Sequence, residues 1–291
     1  MENKLTIDVF IPTYQPGSEF ERTLKSLASQ VFGINRLCII NTEKRFWNTD
    51  FEKIFPGMEV RHIEKKDFDH GTVRYEAAKT SDADIIVFMT QDAIPADEHL
   101  LENLTAPMRE GKAAVSYARQ LPKSDADPIE KIGRLHNYPD KSAIKTAKDL
   151  DTLGIKTFFC SNVCAAYDRK IYNELGGFPH PVEFNEDMIF AAKVIEAGYG
   201  ISYSADAKVL HSHNYSGKEQ YKRNYLIGRT QAQYREVFEK YPSEGAGIKL
   251  VKSTAKELFK TGKGYLIFKL VWISGCKYLG YRAGKRSVKG E

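Results

Sequence analysis

Short apolar runs recur along the chain and alternate with segments whose apolar residues have helical spacing. The runs predict strands at residues 5–12, 36–41, 58–63, 84–89, 113–117 and 207–211, and residues 19–30 have the spacing of a helix. Pro12 is expected to end the first strand. This alternation predicts an α/β domain with a mainly parallel sheet, and such sheets bind ligands at the carboxyl ends of their strands.

Two parts of the chain depart from this alternation. Residues 119–156 are a long polar stretch, which we interpret as an insertion or a flexible loop. Residues 265–274 are mostly apolar but are interrupted by Lys269, and a helix that crosses a bilayer needs about 20 apolar residues. Because its flanks are basic, this tail either lies on an anionic membrane surface or packs against the domain or a second subunit. The pattern leaves both alternatives open.

Composition restricts the class of protein. A chain of 291 residues holds one large domain, alone or with an appended segment. Its four cysteines have no CxxC spacing, so we expect reduced, mostly buried thiols rather than a zinc site or disulfides. The chain starts without the pattern of a signal peptide, which predicts a cytoplasmic protein. The net charge of +5 is modest and the basic residues gather beyond Gly247, and we expect no nucleic-acid partner.

Polar residues follow several of the predicted strands. Neither GxGxxG nor a phosphate-loop pattern occurs, which disfavours dehydrogenases and P-loop enzymes. Instead Asp92 follows the fourth strand, Arg74 the third, and His211 and His213 the last. A carboxylate and an imidazole can hold a divalent cation beside a phosphate, while Arg74 can bind the phosphate or fix Asp92. If the last strand continues through His213, both histidines lie on one face.

Each of these residues also has a structural interpretation. Asp92 can cap a helix before Pro95, the two histidines can be a hydrogen-bonded strand end, and Arg74 can be a surface cation. Taken one at a time, the structural interpretations are favoured. Together, at the strand ends of one sheet, the residues favour a site that neutralises charge on a leaving group.

An acid pair, Glu186 and Asp187, opens the apolar run at residues 188–195. Asn185 before it is a good helix N-cap, and acids in a first turn complement the helix dipole. On spacing alone a helix start is the favoured interpretation. The alternative is that a carboxylate here deprotonates a hydroxyl, and the helix dipole is then expected to keep that base ionised.

Seven motifs occur in order along residues 7–215. They are Ile11-Pro12-Thr13-Tyr14, His70-Gly71-Thr72-Val73-Arg74, Thr90-Gln91-Asp92-Ala93, Phe158-Phe159-Cys160-Ser161-Asn162, Gly176-Gly177-Phe178, Glu186-Asp187 and His211-Ser212-His213-Asn214-Tyr215. In this combination the chain resembles the inverting glycosyltransferases of family 2, which have the GT-A (Rossmann-like) fold. Residues 90–92, 119–122 and 156–162 make it similar to the bacterial rhamnosyltransferases within that family.

The resemblance implies a role for each matching residue. Asp187 is the catalytic base, and Glu186 orients the acceptor or supports Asp187. Asp92 binds a divalent cation, Mn²⁺ or Mg²⁺, with His211 or His213 as a further ligand. The implied substrate-binding residues are Pro12, Thr13, Tyr14, Asn41, Glu43, His70, Arg74, Gln91, Ser161, Asn162 and Gly177. Among them, Thr13 and Tyr14 border the nucleotide base.

The resemblance also implies substrates and partners. The donor is dTDP-β-L-rhamnose, and attack by an acceptor hydroxyl opposite the diphosphate gives an α-linked rhamnoside. The acceptor is expected to be a lipid-linked glycan of a cell-surface polysaccharide such as O-antigen, with residues 119–156 on the acceptor side. The enzyme is then peripheral on the cytoplasmic face of the membrane, and a homodimer is possible. We expect a GT-A domain at residues 1–217 and a helical C-terminal region at residues 218–291.

Two positions depart from the family pattern. Thr90 and Gln91 precede Asp92 where relatives have an acid, which predicts modest metal affinity. The second strand lacks the aspartate that commonly touches the base, so Asn41 or Glu43 takes its place. Two alternative functions remain: a family 2 transferase with another donor, such as UDP-galactose or UDP-N-acetylglucosamine, and a non-catalytic carbohydrate-binding subunit.

Overall fold

A computed structural model describes residues 5–241 and 244–288, so residues 1–4, on which part of the cytoplasmic expectation depends, lie outside it. The strands are β1 (Ile7–Tyr14), β2 (Arg36–Thr42), β3 (Glu59–Ile63), β4 (Ile85–Met89), β5 (Ile94–Pro95), β6 (Val115–Leu121), β7 (Ala143–Lys145), β8 (Cys164–Asp168) and β9 (Ile201–Leu210). The helices are α1 (Ser18–Ala28), α2 (His70–Ala78), α3 (Leu100–Arg109), α4 (Pro128–Asn137), α5 (Leu150–Leu153), α6 (Arg169–Glu174), α7 (Glu186–Glu196), α8 (Gly217–Gln233), α9 (Arg235–Phe238), α10 (Glu244–Lys260) and α11 (Ile267–Ser287).

These strands form one sheet in the order β3-β2-β1-β4-β8-β6-β9-β5, with β7 paired to β9. Strands β1 to β4 run in the same direction as β6 and β9, whereas β5, β7 and β8 run in the opposite direction. The predicted α/β fold with a mainly parallel mixed sheet is confirmed. Because parallel strands end at the same edge, the residues that follow β1, β2, β4 and β9 are gathered there.

The first and last predicted strands have different boundaries in the structure. Pro12 does not end β1, which continues to Tyr14 and pairs with β2 along that length. Pro12 lies beyond Phe10, the last residue of β1 that pairs with β4, so its missing N–H interrupts no hydrogen bonds on that side. Strand β9 begins at Ile201 rather than at residue 207. The prediction missed its first half, because that half is rich in serine and alanine and lacks a strong apolar signal. It ends at Leu210, before both histidines.

An apolar core lies on each face of the sheet. On one face Phe10 and Phe88 pack with Phe178 and Phe190. The opposite face carries the alternate strand residues, among them Val9, Ile11 and Val87. They pack with Leu24 and Leu27 of α1 and Leu104 of α3. The sheet is therefore buried on both sides, which explains why its parallel strands are continuous apolar runs.

Residues 119–156 are structured, so the flexible-loop alternative is wrong. They contain the end of β6, helices α4 and α5, and β7, which pairs with β9. Asp127 caps α4 by accepting the N–H of Ile129, and Pro128 occupies the first helical position. Helix α4 has no fully buried residue and borders a cavity, which explains why its sequence is polar.

Two of the motifs meet through close backbone contacts at the start of α2. A Cβ on Gly71 would lie 2.2 Å from the carbonyl oxygen of Pro179, and the Gly71 N–H donates to the carbonyl of Val182 at 3.0 Å. The Asp69 carboxylate accepts the N–H groups of both Thr72 and Val182. The segment that leads to α7 is therefore anchored on α2.

The predicted helical C-terminal segment is confirmed, and its longest helices approach each other at glycines. Cβ atoms on Gly228 of α8 and on Gly280 and Gly284 of α11 would lie within 2.3 Å of carbonyl oxygens of the facing helix. Only glycine permits so close an approach. Within the described residues, no helix has an apolar stretch long enough to cross a membrane.

The cysteines match the expectation of free, mostly buried thiols. Cys38, Cys160 and Cys164 are buried, Cys276 is half-buried, and none is in a disulfide. Burial raises the pKa of Cys160 to about 12. Cys160 is therefore a protonated thiol at neutral pH.

Candidate active site

A cavity of about 1190 Å³ opens at the carboxyl edge of the sheet and extends to the C-terminal helices. Its lining includes the sequence-predicted residues His70, Arg74, Gln91, Asp92, Ser161, Asn162, Glu186, Asp187, His211 and His213. These side chains come from positions far apart in the chain. The sheet and α7 bring them to one space.

Asp92, His211 and His213 form a group that we call the cation cluster. The Asp92 Oδ2 atom lies 3.2 Å from Nε2 of His213 and 3.5 Å from Nε2 of His211, and the two Nε2 atoms are 3.1 Å apart. All three ligand atoms lie within 4.8 Å of one another. One carboxylate and two imidazoles fit a divalent cation and leave further positions for phosphate oxygens.

Gln120 supports the cation cluster from behind. Its Oε1 lies 3.1 Å from Nδ1 of His211, and its amide nitrogen donates to the hydroxyls of Tyr138 and Ser161. A carbonyl oxygen at Nδ1 favours the tautomer with the proton on Nδ1. The Nε2 lone pair of His211 then points to the cluster, as a metal ligand requires.

Both histidines of the cation cluster favour their neutral forms. Burial lowers the pKa of His211 to about 3 and also lowers the pKa of His213, although the Asp92 charge opposes both shifts. A neutral imidazole is the form that binds a metal. The expectation that a continued strand would align the two histidines is wrong, since β9 ends at Leu210, yet they meet in the loop that follows.

The acid pair opens α7, but its two members have different surroundings. Asn185 occupies the N-cap position with a left-handed φ of 64° and makes no side-chain cap hydrogen bond, so it does not cap as predicted. Glu186 is buried, and its Oε1 atom accepts from Arg74 at 2.9 Å and from the Asn162 amide at 3.0 Å. Burial alone would raise the pKa of Glu186, but Arg74, His70 and the Asn162 hydrogen bond together outweigh it and hold that pKa below its ordinary value.

Asp187 lies on the cavity side of the pair. Its Oδ2 accepts the backbone N–H of Asn162 at 3.0 Å, and its Oδ1 accepts the N–H of Met188 at 2.8 Å. Burial and the neighbouring Glu186 charge raise the pKa of Asp187 to about 7. The expectation that the helix dipole keeps this carboxylate fully ionised is therefore wrong at pH values below 7.

Arg74 has a different partner from the one expected. It is buried, and its guanidinium contacts Glu186 and Nδ1 of His70, rather than Asp92 or solvent. Burial and Arg74 lower the pKa of His70 to about 4, so this ring is neutral. Asp92 also does not cap a helix, because the next helix begins at Leu100.

A second group of predicted residues lies at the ends of β1 and β2. The Thr13 hydroxyl donates to the side-chain amide oxygen of Asn41. The side-chain amide nitrogen of Asn41 in turn donates to the backbone carbonyl of Glu43. The backbone N–H and carbonyl of Tyr14 are both bound by the Gln91 side chain, which lines the cavity. This double contact ties the end of β1 to the residue beside Asp92.

The remaining predicted residues are not in the cavity lining. Pro12, Thr13, Tyr14, Asn41 and Glu43 lie beside it, at the strand ends just described. Gly177 is in a separate place: a Cβ there would lie 2.9 Å from the Tyr172 ring, and its φ is +66°. The structure gives Gly177 a packing and turn role, and it does not bring Gly177 to the cavity.

Sequence reasoning missed several lining residues. Gln120 and Arg134 were not assigned a role, although Gln120 lies in residues 119–122, one of the segments that resemble the rhamnosyltransferases. Arg134 donates to Gln120 and Glu130 from α4. Arg223 and Lys277 reach the cavity from α8 and α11, and no local motif marks either of them.

A sheet of this order, with a carboxylate and imidazoles at its carboxyl edge and a second carboxylate at a facing helix start, defines a glycosyltransferase of the GT-A class. The family model "Glycosyl transferase family 2" matches residues 8–176. The chain belongs to glycosyltransferase family 2, so the predicted family and transferase class are confirmed.

Two curated relatives match almost the whole chain. "O-antigen chain rhamnosyltransferase RfbN" of Salmonella typhimurium is 37% identical over 97% of this chain and 90% of its own length. "O-antigen chain rhamnosyltransferase WbaN" of Salmonella anatum is 33% identical over 95% of this chain and 88% of its own. Mannosyltransferase PcManGT from Pyrobaculum calidifontis, solved with GDP-Man and Mn²⁺, has a TM-score of 0.63 at 15% identity, covering 99% of this chain and 87% of that one. At that identity the last comparison supports the fold alone.

Proposed function

We propose that this protein transfers L-rhamnose from dTDP-β-L-rhamnose to a hydroxyl of a glycan acceptor, with inversion at the anomeric carbon. The names of the two Salmonella relatives support the choice of sugar. The observation that carries the proposal is that Asp187 and the cation cluster line one cavity. A base for the acceptor and a neutralising site for the leaving group therefore face the same space.

In the proposed reaction, the Asp187 carboxylate accepts the proton of the acceptor hydroxyl. The hydroxyl oxygen forms a bond to the anomeric carbon from the side opposite the diphosphate, and the bond to the diphosphate breaks with its electron pair. One displacement inverts the centre, so no protein nucleophile is needed. A pKa near 7 suits Asp187, because a general base works best when its pKa is close to the working pH.

Glu186 is proposed as a positioning residue. Its carboxylate is already bound by Arg74 and Asn162, so it supports Asp187 rather than orienting the acceptor. Asn162 contacts both acids, through its amide to Glu186 and its backbone N–H to Asp187. The cavity wall around the two acids is completed by His70, Arg74 and Ser161.

Asp92, His211 and His213 are the proposed ligands of a divalent cation. When bound, the cation neutralises charge that develops on the leaving diphosphate. The two imidazole nitrogens favour Mn²⁺ over Mg²⁺, which prefers oxygen ligands. Gln120 keeps the Nε2 atom of His211 available for this role.

The ends of β1 and β2 are the proposed site of the nucleotide base. The Tyr14 ring is partly exposed, meets Phe46 edge to face at 5.6 Å, and has the Lys65 ammonium 5.3 Å from its centroid. An exposed ring beside a cation suits a stacked pyrimidine. Asn41 is buried, and its side-chain amide is already bound by Thr13, by the Glu43 carbonyl and by His62. The Glu43 carboxylate is bound by Arg45. We therefore favour the Tyr14 ring as the base contact.

The acceptor is proposed to be lipid-linked and the protein to be peripheral on the cytoplasmic face of a membrane. The outer face of α11 exposes Phe268, Val271, Trp272 and Leu279, with Phe268 86% exposed. Basic side chains follow this apolar stripe on the same helix, at Arg282 and Arg286. An apolar stripe beside cations suits an anionic lipid surface. A homodimer through the same stripe is the competing proposal.

The division into residues 1–217 and 218–291 is retained as a proposal. It coincides with the start of α8 at Gly217. The C-terminal helices nevertheless complete the cavity wall, because α8, α10 and α11 all contribute lining residues. The second region therefore serves the reaction as well as the proposed membrane contact.

A donor panel tests the proposed function. Purified protein with Mn²⁺ is incubated with dTDP-rhamnose, UDP-galactose or UDP-N-acetylglucosamine and membrane-extracted lipid-linked acceptors, and the product linkage is analysed. We expect transfer from dTDP-rhamnose alone and an α-linkage. Preference for a UDP-sugar would replace the donor assignment, and no transfer from any donor would favour a non-catalytic carbohydrate-binding protein.

The catalytic assignment has its own test. Asp187→Asn is expected to lower kcat about 10²–10⁴-fold, the usual contribution of a general base, while dTDP binding measured by calorimetry is unchanged. Asp151→Asn, at an exposed position outside the cavity, is the matched control. Normal turnover in the Asp187 variant would remove this residue from the mechanism.

A further inference from the structure

Two cations in the cavity have no role in the reaction described above. Arg223 reaches the cavity from α8 and Lys277 from α11. Within residues 5–241 and 244–288, neither forms an ion pair with a carboxylate. Arg134, by contrast, also lines the cavity but is bound by Glu130 and Gln120. Arg223 and Lys277 are therefore cationic groups available to a ligand.

Aromatic rings hold Arg223 in place. Its guanidinium carbon lies 4.9 Å from the Phe184 ring centroid and 5.9 Å from that of Tyr215. Tyr215 in turn stacks on His213 at 4.7 Å between centroids. Ring contacts restrict a guanidinium without using its N–H donors, so those donors stay free to bind an anion.

Lys277 lies in the same electrostatic environment. Lys277 remains exposed to solvent at the cavity, but partial desolvation there lowers its pKa. The Glu130 charge opposes this shift, and the charges of Arg134 and Arg223 add to it. Like charges held together cost free energy unless an anion neutralises them. The placement of unpaired cations in one cavity is consistent with an anionic ligand.

We propose that Arg223 and Lys277 bind a phosphate or diphosphate group of the acceptor, at a subsite distinct from the cation cluster. This inference rests on the proposed function, because it concerns the acceptor of the same reaction. The lining that the C-terminal helices contribute also includes apolar side chains, among them Ile227, Val251 and Leu270. A charged head next to an apolar wall fits the phosphate end of a lipid carrier.

The proposed subsite and the proposed base belong to one cavity. The donor diphosphate has its own proposed partners in the cation cluster, and Asp187 is the proposed base for the attacked hydroxyl. Because Arg223 and Lys277 line the same cavity as Asp187, one acceptor molecule can present its phosphate to these cations and its hydroxyl to Asp187.

Binding of geranyl diphosphate, a short prenyl diphosphate, tests the subsite without turnover. The full chain is first saturated with dTDP and Mn²⁺, so that the donor site is filled, and geranyl diphosphate is then titrated by calorimetry. We expect binding to the dTDP-loaded protein. Arg223→Gln and Lys277→Gln are each expected to raise its Kd about tenfold or more, the usual effect of losing one charged hydrogen bond.

Matched controls lie on the C-terminal helices. Lys222→Gln on α8 and Lys256→Gln on α10 remove the same charge from exposed positions outside the cavity lining and are expected to leave the Kd unchanged. Circular dichroism of the variants checks that α8 and α11 are intact. Equal effects of the controls would mean general charge attraction and would overturn the subsite.

Two further outcomes would overturn the inference. One is competition, in which geranyl diphosphate binds only when dTDP is absent, because Arg223 and Lys277 would then serve the donor. The other is binding that neither substitution weakens. Failure of dTDP itself to bind, measured in the first titration, is a separate result, since it contradicts the proposed donor and not the acceptor subsite.

Discussion

At the scale of single residues, Glu186 and Asp187 are adjacent carboxyl groups with opposite protonation behaviour. Arg74 contacts Glu186 and lowers its pKa, whereas Asp187 has no cationic partner at hydrogen-bond distance in the described chain and its pKa is raised to about 7. The two pKa values separate because Asp187 is buried beside the negative charge of Glu186, whereas the carboxylate of Glu186 is stabilised by Arg74. Neighbouring carboxyl groups with separated pKa values are a common arrangement for assigning a proton acceptor.

The first prediction concerns the pH dependence of activity. A base acts when deprotonated, so kcat/KM should rise with unit slope below about pH 7 and level above it. Glu186→Gln removes the negative charge beside Asp187 and leaves Arg74 unneutralised, and both changes lower the pKa of Asp187. The acid limb should therefore move to lower pH by about one unit or more. The measurement is kcat/KM at saturating Mn²⁺ between pH 5 and 9.

The control for this profile is Glu196→Gln, an exposed acid at the other end of α7. Its profile should match that of the unmodified protein. An acid limb that stays in place or moves to higher pH in Glu186→Gln would contradict the electrostatic account of the pair.

The second prediction concerns Gln120, the hydrogen-bond partner of His211. Gln120→Leu removes the acceptor at Nδ1 and should weaken apparent Mn²⁺ affinity about 10–100-fold, with activity recovered at high Mn²⁺. Activity as a function of Mn²⁺ concentration, together with direct Mn²⁺ titration, measures this effect. Tyr138→Phe is the control, because it removes a different contact of Gln120 and leaves the one to His211. Unaltered Mn²⁺ affinity in Gln120→Leu would exclude the orienting role.

At the scale of elements, α8 and α11 depend on glycines to meet. Their backbones approach so closely that a single methyl group on α11 would overlap a carbonyl oxygen of α8. Because both helices line the cavity, their separation affects the site as well as stability. In the sequence, Gly280 and Gly284 have the GxxxG spacing of close helix pairs, but that spacing does not show which helix they meet.

The third prediction follows from this contact. Gly284→Ala should lower the free energy of unfolding by about 1–3 kcal/mol, the usual cost of overpacking, because its Cβ would lie 1.9 Å from the Tyr225 carbonyl oxygen. Gly275→Ala, on the same helix with open space around it, should be neutral or stabilising by up to about 1 kcal/mol. Urea unfolding measures both. Equal stability of the two variants would show that the helices do not meet at Gly284.

The elements also indicate how much was predictable. Strands β1, β2 and β4 are buried, continuous apolar runs, so the sequence located each of them to within two residues. The short strands β5 and β7 have no such signal, and four of the ten residues of β9 are serine or alanine. Helix α4 was missed because its polar residues face a cavity, and a polar cavity wall has the composition of a loop.

At the scale of the whole molecule, the cation cluster was predictable because its members follow strands of one sheet. Parallel strands end at one edge, so Asp92 and His211 were expected to meet without knowledge of side-chain geometry. The partner of Arg74 was not predictable, since it depends on how α2 packs against α7. Arg223 and Lys277 were missed for the same reason: only the packing of α8 and α11 brings them to the cavity.

The fourth prediction tests the proposed membrane contact of the whole protein. The triple change Phe268→Ser, Val271→Ser and Leu279→Ser should weaken binding to vesicles that contain phosphatidylglycerol at least tenfold, because it removes exposed apolar area from α11. Vesicle sedimentation measures the binding. Activity on a soluble acceptor analogue should be unchanged, since none of the three residues lines the cavity. Deleting α11 is a poorer test, because it also removes cavity wall.

The control for the membrane test is Val31→Ser, another exposed apolar position, which lies after α1. Equal vesicle binding by the triple variant and the unmodified protein would contradict the membrane assignment. A change in mass by light scattering, without a change in vesicle binding, would instead support the homodimer proposal.

The strand order has a consequence for the synthesis of the protein. Strand β8 lies between β4 and β6, so the middle of the sheet stays open until residue 168 has been made, and the cation cluster stays incomplete until residue 213 has been made. A nascent chain that ends before Asp187 contains both strands of the proposed nucleotide site but lacks the proposed base and two of the three proposed cation ligands. Ribosome-bound fragments can therefore hold nucleotide at most, and they cannot consume the sugar donor before translation is nearly complete.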